Sequence, residues 1–125
     1  MILDTNALSA FADGDAAIGE VLRHQSRACL PVIVIGEFRY GIAQSKHRGS
    51  YEEWLEAQLR HFHVLDVTEA TATSYATIRI ALKRGGTPIP ANDAWIAALA
   101  LEHKLPVLSR DRHFDTVPLI NRRVW

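Results

Sequence analysis

The sequence predicts an α/β fold: a short, mainly parallel sheet layered by helices. Short apolar runs recur at residues 1–3, 28–30, 64–67, 106–109 and 118–120, and helical patterns separate them. That alternation implies parallel strands joined by helical crossovers. No internal repeat, low-complexity tract or interdomain linker interrupts the chain, so its 125 residues are expected to form one domain, 1–125.

The elements follow in order. Residues 1–3 form an apolar strand ended by Asp4. Residues 7–12 read as a helix stopped at Asp13-Gly14-Asp15, and residues 16–24 as a second. The strand 28–30 leads into Pro31, which suits the opening of a helix over 32–45. Residues 46–50 are a polar loop. Ser50, with Glu53 three residues on, has the pattern of a capping box for a helix reaching Arg60. After the strand 64–67, Thr68 caps a helix over 69–84, which Gly85-Gly86 terminates. The next helix starts at Ala91 or Asn92 and ends at His103. It carries eight consecutive apolar residues, Ala94 to Leu101, so it is buried on most sides. A strand at 106–109, a helical turn at 111–114 and a last strand at 118–120 complete the chain.

Composition excludes several classes. Apolar residues make up 48% and charged residues 22%, the balance of a soluble globular domain rather than a disordered chain. No apolar run is long enough for a transmembrane helix, and the N-terminus meets Asp4 too soon for a secretory signal. The lone Cys29 lies in an apolar run and reads as a core residue; one thiol forms neither an internal disulfide nor a cysteine metal site. A cytoplasmic location and no membrane partner are expected. Formal net charge is zero, so any basic surface must be local and balanced by acids gathered elsewhere.

The acids carry the chemistry. Ligands of open α/β sheets bind beyond the carboxyl ends of the strands. Asp4 and Asp111 follow two strands, Asp93 sits in the first turn of the apolar helix, and Glu37 lies near the start of the helix after the second strand. All four therefore belong to one edge. Each has an ordinary alternative: Asp4 and Asp111 as helix caps, Asp93 as a complement to a helix dipole, Glu37 as a solvated acid. Two carboxylates about 5 Å apart repel by roughly 3 kcal/mol at an effective dielectric of about 20. A shared pocket must raise their pKa values or recruit cations. All-oxygen ligation suits Mg²⁺ or Mn²⁺, which activate water in phosphoryl displacement.

Other residues are weaker signals. His61 and His63 bracket Phe62 at a spacing poor for one ion, and no cysteine completes a zinc set. His113 reads first as a packing or capping residue. Ser109, His113 and Asp115 lack the strained elbow of a nucleophilic serine. Lys46, Arg48, Arg110 and Arg112 are the candidates for contacts to phosphate groups. Arg79 follows Ala72, Tyr75 and Ala76 at helical spacing and would need an acidic partner if buried.

Four segments then resemble a known family. Met1-Ile2-Leu3-Asp4-Thr5-Asn6, Ile35-Gly36-Glu37-Phe38-Arg39-Tyr40-Gly41, Pro88-Ile89-Pro90-Ala91-Asn92-Asp93-Ala94-Trp95 and Leu108-Ser109-Arg110-Asp111 look like the four motifs of PIN domains, in order. The nearest type is VapC, the toxin half of bacterial type II toxin–antitoxin pairs. The resemblance implies a three-layer α/β/α sandwich and Mg²⁺- or Mn²⁺-dependent endonucleolytic cleavage of RNA. It places Asp4, Glu37, Asp93 and Asp111 at the catalytic and metal-binding positions, with Asp4 and Asp93 as direct ligands. Thr5 and Asn6 would orient Asp4, Asn92 would hydrogen-bond within the site, and Ser109 stands where threonine is frequent. The resemblance further implies a homodimer and a VapB-type antitoxin, together bound to promoter DNA. The alternative reading is a regulatory module that acts through a DNA-binding partner with little catalysis. A dehalogenase-type phosphatase would want an acid where Asn6 stands.

Overall fold

In the computed structural model, which describes residues 1–125, the chain enters through strand β1 (Ile2–Leu3) and helix α1 (Thr5–Ala12). Helix α2 (Ala16–Arg23), strand β2 (Cys29–Pro31), helices α3 (Val32–Ile42) and α4 (Arg48–Leu59) and strand β3 (His63–Leu65) follow. Helices α5 (Glu69–Gly85) and α6 (Ala91–His103), strand β4 (Val107–Leu108), a 3-10 turn (Arg112–Thr116) and strand β5 (Arg122–Arg123) end it.

All five strands are parallel, in the order β3-β2-β1-β4-β5. The chain steps outward from β1 to β2 to β3, then reverses across the sheet to β4. Right-handed crossovers consequently place α1 to α4 on one face and α5 and α6 on the other. The packing agrees: α1 lies against α2, α3 and α4, and α5 runs along α6. The expected three-layer α/β/α sandwich is what forms. The reversal makes the carboxyl ends of β1 and β4 a topological switch point, where a parallel sheet opens a crevice.

The core lies directly behind the strands that carry that crevice. Ile2, Leu3, Cys29, Leu30, Val107 and Leu108 are fully buried in one cluster. Each large aliphatic side chain so buried contributes about 1.5–3 kcal/mol. From α6, Ala94, Ile96, Ala97, Leu99 and Ala100 join them, and Ala98 is buried as well, as the unbroken apolar run requires. Phe11 packs edge-on to Trp54, with ring centroids 5.4 Å apart. Thr68 and Thr71 form a capping box on α5, and Gly86 closes that helix in the left-handed region at φ 68°. A side chain there would be strained, which is the reason for glycine.

Several boundaries differ from the sequence reading. α4 begins at Arg48, so Ser50 lies inside the first turn and caps nothing; Ser45 instead accepts from His47 N at 3.0 Å, shaping the approach. α3 stops at Ile42, short of Ser45. The last strand is Arg122–Arg123 rather than 118–120. Pro118 and Leu119 form a turn in which Leu119 takes φ 70° and is exposed. An edge strand needs only one partner and tolerates polar side chains, so its apolar signal was absent. Arg79 is exposed and lies over the Tyr75 ring, 5.6 Å from its centroid, so it needs no buried acid.

Candidate active site

Asp4 emerges from β1 into the switch-point crevice and is the N-cap of α1. With Thr71 and Ser109 it is one of three polar residues in the buried set, at 5% exposure. Its Oδ1 accepts from Thr5 N at 2.8 Å. Its Oδ2 accepts from Ser109 Oγ at 2.6 Å and from Asn6 Nδ2 at 3.0 Å. The capping role and the site role thus coexist in one side chain.

Ser109 follows β4 and is completely used. Its hydroxyl donates to Asp4 and accepts from Asn6 Nδ2 at 3.1 Å and from Asp111 N at 2.9 Å. One donor and two lone pairs are all that a hydroxyl offers. Asn6 closes the network by accepting from Arg110 N at 3.2 Å. Sheet register makes this possible, because Leu3 pairs with Leu108 and brings the two following loops together.

Asp111 caps the 3-10 turn, accepting from His113 N at 2.8 Å. Asp93 projects from the first turn of α6. Between them stands His113, with Nδ1 at 3.1 Å from Asp93 Oδ2 and 3.2 Å from Asp111 Oδ1. A ligand atom from each of the three lies within 4.8 Å of the others. His113 is therefore part of the site, not merely a packing or capping residue. A positive imidazole offsets the two carboxylates as a cation would. Its place beside Asp111 was the only hint in the sequence.

Glu37 comes from the second turn of α3. Its Oε1 is buried without a hydrogen-bond partner, as is Thr5 Oγ1. Both residues line a cavity of about 330 Å³ together with Ser9, Asp13 and Tyr51. A buried polar atom without a partner costs about 1–3 kcal/mol, and a bound cation would remove that cost for the carboxylate.

The electrostatics report the same crowding. Burial pushes the Asp4 carboxyl above the usual range, against the hydrogen bonds from Ser109 and Thr5, and the charges of Asp93 and Glu37 push it further. Burial likewise raises Asp93; the bond to His113 opposes the shift and the charge of Asp111 adds to it. The hydrogen bond to Asp93 leads the causes that raise His113.

The supporting candidates divide. Thr5, through its backbone, and Asn6 and Ser109, through side chains, hold Asp4 in place. Asn92 is exposed and bonds to none of these groups, contrary to expectation, because its side chain leaves the first turn of α6 toward solvent. Lys46, Arg48, Arg110 and Arg112 are all exposed. Arg110 lies 4.2 Å over the Trp125 ring and 3.6 Å from Asp15. Asp115 is engaged by Arg122 at 2.7 and 2.8 Å, outside the acid cluster.

The fold and this crevice define a parallel α/β protein with an acidic cluster beyond the carboxyl ends of its strands. The PIN-domain family profile matches residues 1–119. Ribonuclease VapC5 of Mycobacterium tuberculosis is 31% identical over 116 residues, spanning 90% of this chain and 84% of that protein. The tRNA(fMet)-specific endonuclease VapC of Salmonella typhimurium is 31% identical over 101 residues, spanning 80% and 76%. Among solved structures, DNA-bound VapBC from Salmonella typhimurium superposes with a TM-score of 0.89 at 28% identity, over 99% of this chain and 96% of that one. FitAcB from Neisseria gonorrhoeae gives 0.86 at 30% identity, over 97% and 94%. The chain belongs to the PIN-domain family and, within it, to the VapC group.

Proposed function

We propose that this chain is the ribonuclease toxin of a type II toxin–antitoxin pair, cleaving RNA endonucleolytically with Mg²⁺ or Mn²⁺. The observation that carries the reading is the mutual influence of acids from four separate elements: Asp93 and Glu37 act on the Asp4 carboxyl and Asp111 acts on Asp93, with Asp93, Asp111 and His113 offering ligand atoms within 4.8 Å of one another. Family membership and relatives named as ribonucleases support it.

The donor set fits a hard divalent cation. Its carboxylates are crowded, two carry raised pKa values, and one oxygen of Glu37 lacks any partner. Asp4, Asp93, Asp111 and Glu37 would hold the ion, directly or through intervening water. When bound, such an ion supplies Lewis-acid charge at a phosphodiester and a more acidic water. The chain's own contribution is positioning. Ser109, Asn6 and the Thr5 amide fix both oxygens of Asp4, and His113 balances Asp93 and Asp111 until the ion arrives. Lys46, Arg48, Arg110 and Arg112 are the proposed phosphate contacts along the strand. The whole chain acts as one domain, in the cytoplasm, as a homodimer. A VapB-type antitoxin covers the acids with a basic side chain and carries the pair to promoter DNA.

The test is cleavage of RNA by the purified, partner-free chain in Mg²⁺, in Mn²⁺ and in EDTA. Cleavage is expected with either ion and absent in EDTA. Asp4→Asn and Asp93→Asn are expected to lose it while keeping the wild-type circular dichroism. Undiminished cleavage in EDTA or by Asp93→Asn would overturn the assignment.

A further inference from the structure

We infer that the opposite edge of the sheet holds a second contact for the RNA strand, a pocket that takes one phosphate with its neighbouring base. A cavity of about 390 Å³ opens at the amino ends of β2 and β3, between the loop that leaves α2 and the loop that leaves α4. It shares no residue with the acidic crevice, which lies at the carboxyl ends. That volume exceeds what a lone phosphate needs and falls in the range of small-ligand sites.

Its positive charge comes from two arginines. Arg27 and Arg60 line it with the imidazoles of His61 and His63, and no carboxylate does. Arg23, Arg39, Arg110 and Arg122 each pair with an acid. Arg27 and Arg60 pair with none. Arg27 Nη2 instead meets His63 Nε2 at 3.1 Å. A guanidinium only donates, so it is spending a hydrogen bond on an imidazole lone pair where an anion would be the stronger acceptor. Grouped positive side chains without counter-charges focus a potential that attracts anions.

The apolar part of the lining includes two aromatic rings beside Leu22 and Ala28. Phe11 and Phe62 lie edge to face with centroids 6.3 Å apart, and both line the pocket. Guanidinium groups beside aromatic rings form the combination that holds a phosphate and stacks its base. Gln25, Ser26 and Gln58 add neutral donors at the rim. The ligand class is a phosphorylated nucleoside. Taking RNA as its source rests on the ribonuclease reading, whereas the pocket's chemistry does not.

The experiment uses the full chain in EDTA, so that cleavage plays no part. The probes are an end-labelled RNA of about ten nucleotides and, separately, adenosine monophosphate. Arg27→Gln and Arg60→Gln are made singly and together, with Lys83→Gln plus Arg84→Gln on α5 as the charge-matched control. Thermal melts verify folding of every variant. The double variant is expected to lose about tenfold or more in RNA affinity, and the slope of log K against log salt to fall by about 1 per arginine. The control is expected to bind as wild type. Loss of adenosine monophosphate binding in the same variants would show that a free nucleotide suffices; an effect on RNA alone would assign the site to a strand. Unchanged binding of both probes by the double variant, or an equal loss in the control, overturns the pocket. A chain that binds through Arg27 and Arg60 but cleaves nothing would instead overturn the ribonuclease reading alone.

Discussion

Ser109 Oγ donates to Asp4 Oδ2 over 2.6 Å, joining two residues 105 positions apart. The hydroxyl is fully buried and has no unused hydrogen-bonding capacity. Ser109→Ala would leave Asp4 short of a donor, cost Asn6 Nδ2 one of its two acceptors and free Asp111 N. The expected loss is about 1–3 kcal/mol in urea unfolding. Metal affinity should fall about 10–100-fold, since the lost partner orients a ligand. Ser109→Thr keeps the hydroxyl and should recover most of both. An alanine variant matching wild type in urea and in metal titration would remove this bond from the account.

His113 is the internal counter-charge of Asp93 and Asp111. His113→Ala is expected to lower the melting temperature of the metal-free chain, because the two carboxylates then face each other alone. Adding Mg²⁺ should raise the variant's melting temperature by more than it raises wild type's, as the ion takes over the role of the imidazole. Equal metal-induced shifts in both proteins would contradict the balance proposed for this residue.

Glu37 carries a buried oxygen without a partner, and its charge presses on Asp4. Glu37→Gln is expected to stabilise the metal-free chain by about 1 kcal/mol, since a neutral amide no longer presses on the Asp4 carboxylate. The same change should weaken metal binding and cleavage. Denaturation in EDTA decides the first part. A clear loss of stability there would make Glu37 a structural residue rather than a ligand held in reserve.

Asp15 caps α2, accepting from Ala17 N at 2.9 Å and Ile18 N at 3.3 Å, and also accepts from Trp125 Nε1 at 3.3 Å. The amide of Ile18 leads the causes that hold its carboxyl below the usual range. A depressed folded-state pKa means that the ionised form favours folding. The contribution is fully present above the unfolded pKa and disappears as pH falls through the folded one. Wild type should therefore melt higher than Asp15→Asn near neutrality, and the gap should close as pH falls through and then below the ordinary carboxylate range. A gap that persists at the acid end would mean that Asp15 acts through shape, not charge. Trp125, unexplained by local sequence, thus ties the end of the chain to α2 through Asp15 and Arg110.

Local pattern was enough to determine the alternation of strands and helices, the burial of α6 and the stop at Gly86, and it offered the four acids as candidates. These depend on neighbours within a turn or on the side-chain chemistry itself, which a linear reading sees. Tertiary structure alone decided how they meet. The pairing of Leu3 with Leu108 put Ser109 beneath Asp4, and the reversal from β3 to β4 opened the crevice above them. It also decided that His113 would stand between two carboxylates, that Asn92 would not, and that a polar Arg122–Arg123 segment would serve as the fifth strand. Such choices follow from backbone register and packing between segments far apart in the chain, where no short-range periodicity records them.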